Sequence, residues 1–263
     1  MTGMKNQLLG QGYRLSRKEV LGLAMLAKSR TLLTSDGGYG FQGGIEVATE
    51  GIESLVARQL VVADPHPRLG EFFSEFVSVS EHPEERYEIR LTSPEFNTQV
   101  THFVGLRDAR AVIITPEKIL GDIESLCALV SEAEGREFLK TMMKKLSWAD
   151  DSFVEGPFDM SADEYAIFVS CTASQESRPL RERLPLANVP DEFARDCATG
   201  LSAGDFMRTL QAGTSSRLTR LRWITTKNHS AWVFDFFPES NSYRFTPVTG
   251  GQLSNMLSEL VAG

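Results

Sequence analysis

Ser16, Ser161 and Thr249 are each followed three residues later by Glu or Gln, and each time apolar residues at helical spacing come next. Ser16-Arg17-Lys18-Glu19, Ser161-Ala162-Asp163-Glu164 and Thr249-Gly250-Gly251-Gln252 have the form of a capping box, in which two side chains satisfy each other's free backbone N–H groups. Such boxes mark where helices start. The first predicts a helix over 16–28 with Val20, Leu23, Ala24 and Ala27 on one face. The second predicts a helix carrying Tyr165, Phe168 and Val169, and the third a final helix carrying Leu253, Leu257 and Leu260.

Between the boxes the pattern alternates in type. Ile45, Ala48, Ile52, Leu55 and Val56 mark a second helix after the glycine-rich loop 36–44, and Leu69, Phe72, Phe73, Phe76 and Val77 a short third one. Extended runs at 86–91, 99–106 and 111–115, with short breaks between them, suit an antiparallel meander. Thr115-Pro116 puts Pro at the first position of a predicted helix with Ile119, Leu120, Ile123, Leu126, Cys127 and Val130 along one face. Phe138, Leu139, Met142, Met143 and Leu146 mark a further helix, and 149–160, with Gly156-Pro157, reads as a linker. Beyond it come the second boxed helix, two short helices over 191–199 and 202–210, extended runs at 217–226, 230–237 and 243–248, and the last boxed helix.

The sequence therefore predicts an α+β fold of two pseudo-repeats, 1–148 and 149–263, packed as one compact domain with pseudo-twofold symmetry. Each repeat has leading helices, a three-stranded antiparallel meander and a closing helix. Thr115, Ile119, Ile123 and Leu126 match Thr249, Leu253, Leu257 and Leu260 at one constant offset.

Composition narrows the class. With 263 residues, 41% apolar, 24% charged and 16 Phe, the chain can bury a substantial core. No uncharged apolar run approaches the ~18 residues that a bilayer requires, and 1–15 lacks the apolar stretch of a signal peptide, which predicts a cytoplasmic protein away from the membrane. Cys127, Cys171 and Cys197 lie far apart without a C-x-x-C pair, so neither a disulfide framework nor a zinc site is indicated. A formal net charge of −8 argues against general affinity for nucleic acid or anionic lipid, which bind through phosphate neutralisation.

Several motifs match known chemistry in letters and fail it in context. Gly38-Tyr39-Gly40-Phe41-Gln42-Gly43 fits G-x-G-x-x-G, but the stretch before it is short and half polar, and Glu46 and Glu50 occupy the turn where a pyrophosphate would sit. Gly200-Leu201-Ser202-Ala203-Gly204 fits the nucleophile elbow, which needs a strand before the serine. The reading that accounts for each residue is Gly200 ending one helix, Ser202 capping the next and Asp205 in its first turn. His66, His82, His102 and His229 stand apart, without metal-ligand spacing. Glu81-His82-Pro83-Glu84-Glu85 reads as a solvated charge run. Arg220 and Arg222 fall on the side of Leu218 and Ile224, as arginines lying over a partly buried sheet. Glu46, Glu50 and Glu53 would give a winged-helix recognition helix the wrong sign. No catalytic residue, cofactor site or metal site emerges.

The layout of two halves, the segment Ser202-Ala203-Gly204-Asp205-Phe206-Met207, the strands around Leu221-Arg222-Trp223-Ile224 and Ala231-Trp232-Val233-Phe234, and the terminal helix from Leu253 to Val261 together carry a resemblance. The chain resembles the EspG family, the cytoplasmic chaperones of type VII secretion that bind PE–PPE substrate pairs. The resemblance implies a non-enzymatic, cofactor-free protein with a helical protein partner, gripped by a loop between strands of the first half and a helical bundle of the second. The corresponding hairpin loop, Thr92 to Thr98, is short. It carries Phe96 between Glu95 and Asn97, where a turn is ordinarily polar, and Phe96 and Asn97 are the expected partner-binding residues. The competing reading folds Phe96 back against Phe103. Two other function classes stay open: a small-molecule enzyme using the 38–43 loop or Ser202, and a winged-helix DNA-binding regulator.

Overall fold

A computed structural model describes residues 12–29, 32, 44–63, 65–93, 98–119, 122–146, 156–173, 189–190, 193, 201–226 and 231–262. The chain forms two compact units. The first draws on Met1–Arg90, Val100–Leu139 and Met207–Leu218, the second on Leu91–Gln99, Lys140–Phe206 and Thr219–Gly263.

In the first unit, β1 (Gly12–Leu15) runs into α1 (Arg17–Ala27), and α2 (Gly44–Ala57) follows. A small hairpin, β2 (Val61–Val62) with β3 (Arg68–Leu69), leads to α3 (Glu71–Glu81). Then come β4 (Glu85–Ser93), β5 (Thr98–Arg107), β6 (Arg110–Ile119), β7 (Asp122–Ser131) and α4 (Glu132–Leu146). The strands of this unit lie in the order β1-β7-β6-β5-β4, and the ladders of β1 with β7, β6 with β7 and β5 with β6 are antiparallel. The predicted extended runs 86–91, 99–106 and 111–115 are β4, β5 and the buried part of β6.

Pairing sorts the side chains onto two faces. Phe103, Ile114 and Cys127 are cross-strand neighbours, as are Val112 and Leu129, and together with Leu15 they form a core with Val20 and Leu23 of α1, Leu55 of α2 and Phe73 and Phe76 of α3. The other face carries Val104, Ile113 and Ala128 in one row and Leu106, Ala111 and Val130 in the next. Over it lies α4. A Cβ on Gly135 would sit 2.5 Å from that of Ala111, so the glycine lets the helix come down onto the sheet. Each buried Phe or Leu of this core stabilises by roughly 1.5–3 kcal/mol relative to exposure.

The second unit contains β8 (Phe158–Ser161), α5 (Ala162–Ala173), parts of the long strands β9 (Leu201–Ala212) and β10 (Ser215–Thr226), β11 (Ala231–Phe237), β12 (Ser242–Val248) and α6 (Gly250–Ala262). Its strands lie in the order β9-β10-β11-β12-β8, with antiparallel ladders from β10 to β8. An aromatic core fills one face. Phe245 stacks on Phe158 at 5.0 Å and on Phe234 at 4.9 Å, and Phe193 meets Trp232 edge-on at 4.9 Å. Tyr165 and Phe168 of α5 join this cluster, while Leu253, Leu257 and Val261 are the buried side of α6.

All three predicted capping boxes form. Ser16 and Glu19 bond reciprocally, as do Ser161 with Glu164 and Thr249 with Gln252. A fourth, unpredicted box joins Ser131 and Glu134 at the start of α4. Glu19 also accepts from Ser54 of α2 and from Arg58 just past its end, so one carboxylate both caps α1 and binds its neighbour. Burial alone would raise its pKa, but the bonds from Arg58, Ser16 and Ser54 outweigh that and hold it below its ordinary value.

Three expectations fail. The helix predicted from Thr115 to Val130 is instead the end of β6, with Thr115 and Ile119, and all of β7, with Ile123 and Leu126. Leu126 to Val130 are five consecutive buried apolar residues, the mark of a strand covered on both faces, and that outweighs the helical spacing of a subset. The match of the Thr115 series to the Thr249 series is lost with it. The helix predicted over 202–210 is β9, in which Gly204, Phe206 and Arg208 are buried at alternate positions. The linker predicted over 149–160 contains, from Phe158, the strand β8. The helix expected over 191–199 lies outside the described residues apart from the helical Phe193. Among the described residues no helix is long and apolar enough to cross a membrane.

The crossing of α1 over α2 depends on two glycines. A Cβ on Gly51 would lie 1.8 Å from the Lys18 carbonyl oxygen, and one on Gly22 would lie 2.6 Å from the Ile52 nitrogen. Helix propensity alone makes Gly51→Ala stabilising by about 1 kcal/mol. Because the obstacle is backbone, the expected outcome is the reverse, a loss of about 3 kcal/mol in denaturant melts. Gly156→Ala, where nothing lies within 4 Å, serves as the neutral control.

Candidate functional site

The predicted site residues fall into three groups. Phe96, Asn97 and the Gly38–Gly43 loop lie outside the described residues. The strands that flank Phe96 are in place, β4 ending at Ser93 and β5 starting at Thr98, with the two strands adjacent in the sheet. Ser202 lies within β9, where its carbonyl accepts a bond from the Thr225 hydroxyl at 3.5 Å. It is therefore neither the helix cap predicted for it nor placed in the strand-to-helix turn that a nucleophile elbow needs. His102 is buried, with its Nδ1 2.7 Å from the Thr115 hydroxyl, and among the described residues no three His, Cys, Asp or Glu side chains gather as metal ligands. Burial pushes the Cys127 thiol up to about 12, so it stays protonated. Glu46, Glu50 and Glu53 are exposed along α2, an acidic face.

Two charged clusters remain, with opposite character. The first closes on itself. Glu85, expected to be solvated, accepts bonds from Arg136 at 2.7 Å, from Arg208 at 3.1 Å and from the Tyr87 hydroxyl, tying β4 to α4 and to the 207–218 segment of the first unit. Arg136 also holds Glu132 at 2.7 Å, and the Arg208 guanidinium lies 5.6 Å from the centre of the Tyr87 ring. Burial pushes Tyr87 up to about 12, assisted by the Glu85 charge. Burial would raise Glu85 as well, yet its three donors prevail and hold it below the ordinary carboxylate value. This is a structural knot whose partners are all internal.

The second cluster, in the second unit, faces outward. Cross-strand pairing puts Ile224, Trp232, Phe234, Phe236, Tyr243 and Phe245 on one face, and Arg220 and Arg222 share it by alternation along β10. The Arg222 guanidinium lies over Phe234 at 5.4 Å and Tyr243 at 5.5 Å, as expected of an arginine spread over a partly buried sheet. Tyr165 of α5 stacks on Tyr243 with ring centres 3.8 Å apart, and Phe236, 37% exposed, borders Tyr243 at 5.0 Å. Arg220 is neutralised by a two-point pair with Asp205 at 2.7 and 2.5 Å. Arg222 is not: its Nε is buried without a hydrogen-bond partner, and among the described residues no carboxylate pairs with it. Burial raises the Tyr165 phenol, and Tyr243, Arg222, Asp205 and Arg220 are near enough for their charges to act on it. Half-buried Tyr165, Tyr243 and Arg222 beside exposed Phe236 are residue types enriched at protein-binding surfaces. The alternation of β10 made the Arg222 side legible in sequence; the approach of Tyr165 to Tyr243 across 78 residues was not.

No protein-family model and no curated protein matches the sequence. Among solved structures, the chain is similar to that of the Mycobacterium tuberculosis type VII secretion system chaperone EspG5 in complex with the PE25–PPE41 dimer. The TM-score is 0.52, with 10% identity, over 95% of this chain and 95% of that one. The two share a fold.

The closed and open clusters make different demands on pH. Glu85, with its pKa held below the ordinary 4.5, contributes stability that is fully present above that value and is lost as pH falls through the folded-state pKa. Glu85→Gln should therefore cost about 2 kcal/mol at neutral pH. In denaturant melts the gap between wild type and variant should close as pH drops below 4.5, where the wild type also becomes neutral at this position.

Proposed function

We propose that this protein is a non-enzymatic binding protein that shields an apolar helical surface of a protein partner in the cytoplasm, in the manner of a dedicated type VII secretion chaperone. The observation that carries this reading is the fold likeness to the EspG5 chaperone over nearly the whole of both chains. The open aromatic and arginine face of the second unit supports it, since such side chains dominate interface energetics. Ser202, the nucleophile of the competing enzyme reading, is a strand residue and does not stand in a strand-to-helix turn.

The partner-binding residues in this reading include Phe96 and Asn97, on the connection between β4 and β5. The proposal extends to the origin of the fold, two pseudo-repeats over 1–148 and 149–263. In each, an edge strand, β1 or β8, passes through a Ser-x-x-Glu box into a helix. That strand pairs antiparallel with β7 or β12, and the paired strand passes through its own box into a closing helix. On this alignment the counterpart of Thr249 is Ser131.

The test is capture of partners from a lysate of the native host by the full chain, with mass spectrometry, using wild type and Phe96→Asp. The wild type should retain a helical hairpin protein, and Phe96→Asp should lose most of it at an unchanged melting temperature. A melting temperature lower by several degrees, with capture intact in the cold, would assign Phe96 to the core. Retention of no helical partner by the wild type would remove the chaperone reading.

A further inference from the structure

We infer that Arg222, with the hydroxyls of Tyr165 and Tyr243, forms a subsite for a side-chain carboxylate of a protein partner, set beside apolar partner side chains that cover Phe236. The geometry is that of an incomplete ion pair. Of the two arginines on this face, Arg220 already has its anion in Asp205, with both carboxylate oxygens engaged. Arg222 is held by ring contacts to Phe234 and Tyr243 and is only half-buried, and its guanidinium, including the buried Nε, has no hydrogen-bond acceptor among the described residues. The Tyr165 and Tyr243 hydroxyls likewise have no hydrogen-bond partner among the described residues, and their stacked rings bring the two phenols together.

Among the described residues the cluster thus offers a guanidinium and two hydroxyl donors, with one uncompensated positive charge. A carboxylate balances that charge singly and accepts several bonds at once. A phosphate would bring up to two negative charges to a place with one free cation, in a chain of net charge −8. The walls point to a protein source. Phe234 lies beneath the guanidinium, and Phe236 is exposed at the rim, so the occupant needs apolar groups next to its anion. An Asp or Glu flanked by apolar residues on an amphipathic segment has that pattern. The inference rests on the partner-binding reading for the source of the carboxylate alone; the subsite itself does not need a secretion partner.

The test follows the Arg222 Nε–H resonance by nitrogen-15 NMR in the full chain, assigned by its disappearance in Arg222→Met. Phenylpropionate, a carboxylate joined to an aromatic ring, should move it saturably, and the neutral amide of the same acid should not. Tyr165→Phe combined with Tyr243→Phe should keep the ring stack and weaken phenylpropionate binding about tenfold. Should Arg222→Met fail to fold, Arg222→Lys supplies the assignment and should bind the probe more weakly while retaining the charge. An equal response to the amide would make the surface merely apolar, a stronger response to inorganic phosphate would make it a phosphate site, and no response would leave no site; each overturns the inference. For a partner retained by the capture experiment, Arg222→Met should lower affinity about tenfold. Unchanged capture with the probe still binding would overturn the assignment to a partner side chain and leave the chaperone reading standing, whereas loss of the helical partner from the wild type would remove that reading and leave the subsite.

Discussion

Each of four strands ends on, or one residue before, a Ser or Thr whose hydroxyl and backbone are answered three residues later by a Glu or Gln, and this reciprocal bond decides where strand gives way to helix. Ser16, Ser131, Ser161 and Thr249 close β1, β7, β8 and β12, and Glu19, Glu134, Glu164 and Gln252 open the helices that follow. Each cap contributes about 1 kcal/mol by itself. Its larger effect is to set helix direction within a residue of a fixed ladder, so that α1 meets α2 at its glycine crossing and α4 comes down on Ala111 through Gly135. Glu19 makes the dependence plain, because the same carboxylate that caps α1 also binds Ser54 of α2 and Arg58 just after it.

This is also why some of the fold was legible and some was not. Boxes at 16, 161 and 249 stand next to apolar stripes with polar residues between, so α1, α5 and α6 could be read directly. Ser131-x-x-Glu134 was hidden by the preceding segment, where Ile119, Ile123, Leu126 and Val130 happen to repeat at helical spacing. A chain buried on both faces loses the alternation that identifies a strand. In β9, Ser202 and Asp205 imitate the start of a helix, but Gly204 leaves room for the Trp223 ring, whose nearest atom would lie 2.0 Å from any Cβ there. That contact joins two strands and cannot be seen from the local sequence. Tyr165 and Tyr243 met for the same reason, through β8, β12 and α5, and only the tertiary fold could bring them to Arg222.

Charge placement separates what holds the protein from what it offers to others. Glu85 collects Arg136, Arg208 and Tyr87 onto one carboxylate, while the buried Arg208 Nε has no partner among the described residues. On the open face of the second unit, Asp205 answers Arg220 and nothing described answers Arg222. Arg222 is half-buried and held by the rings of Phe234 and Tyr243, without an acceptor among the described residues. Exposed Phe236 beside it fits a partner that brings both apolar area and an anion.

Hydrogen–deuterium exchange of the full chain, alone and with a co-purified partner, tests that claim most directly. The account predicts slowed exchange in peptides covering 92–98 and in those covering α5 and the 219–226 and 242–248 strand segments, with the α1–α2 crossing unchanged. Exchange that stays the same in both regions while a partner is bound, or that slows around α1 and α2 instead, would contradict it.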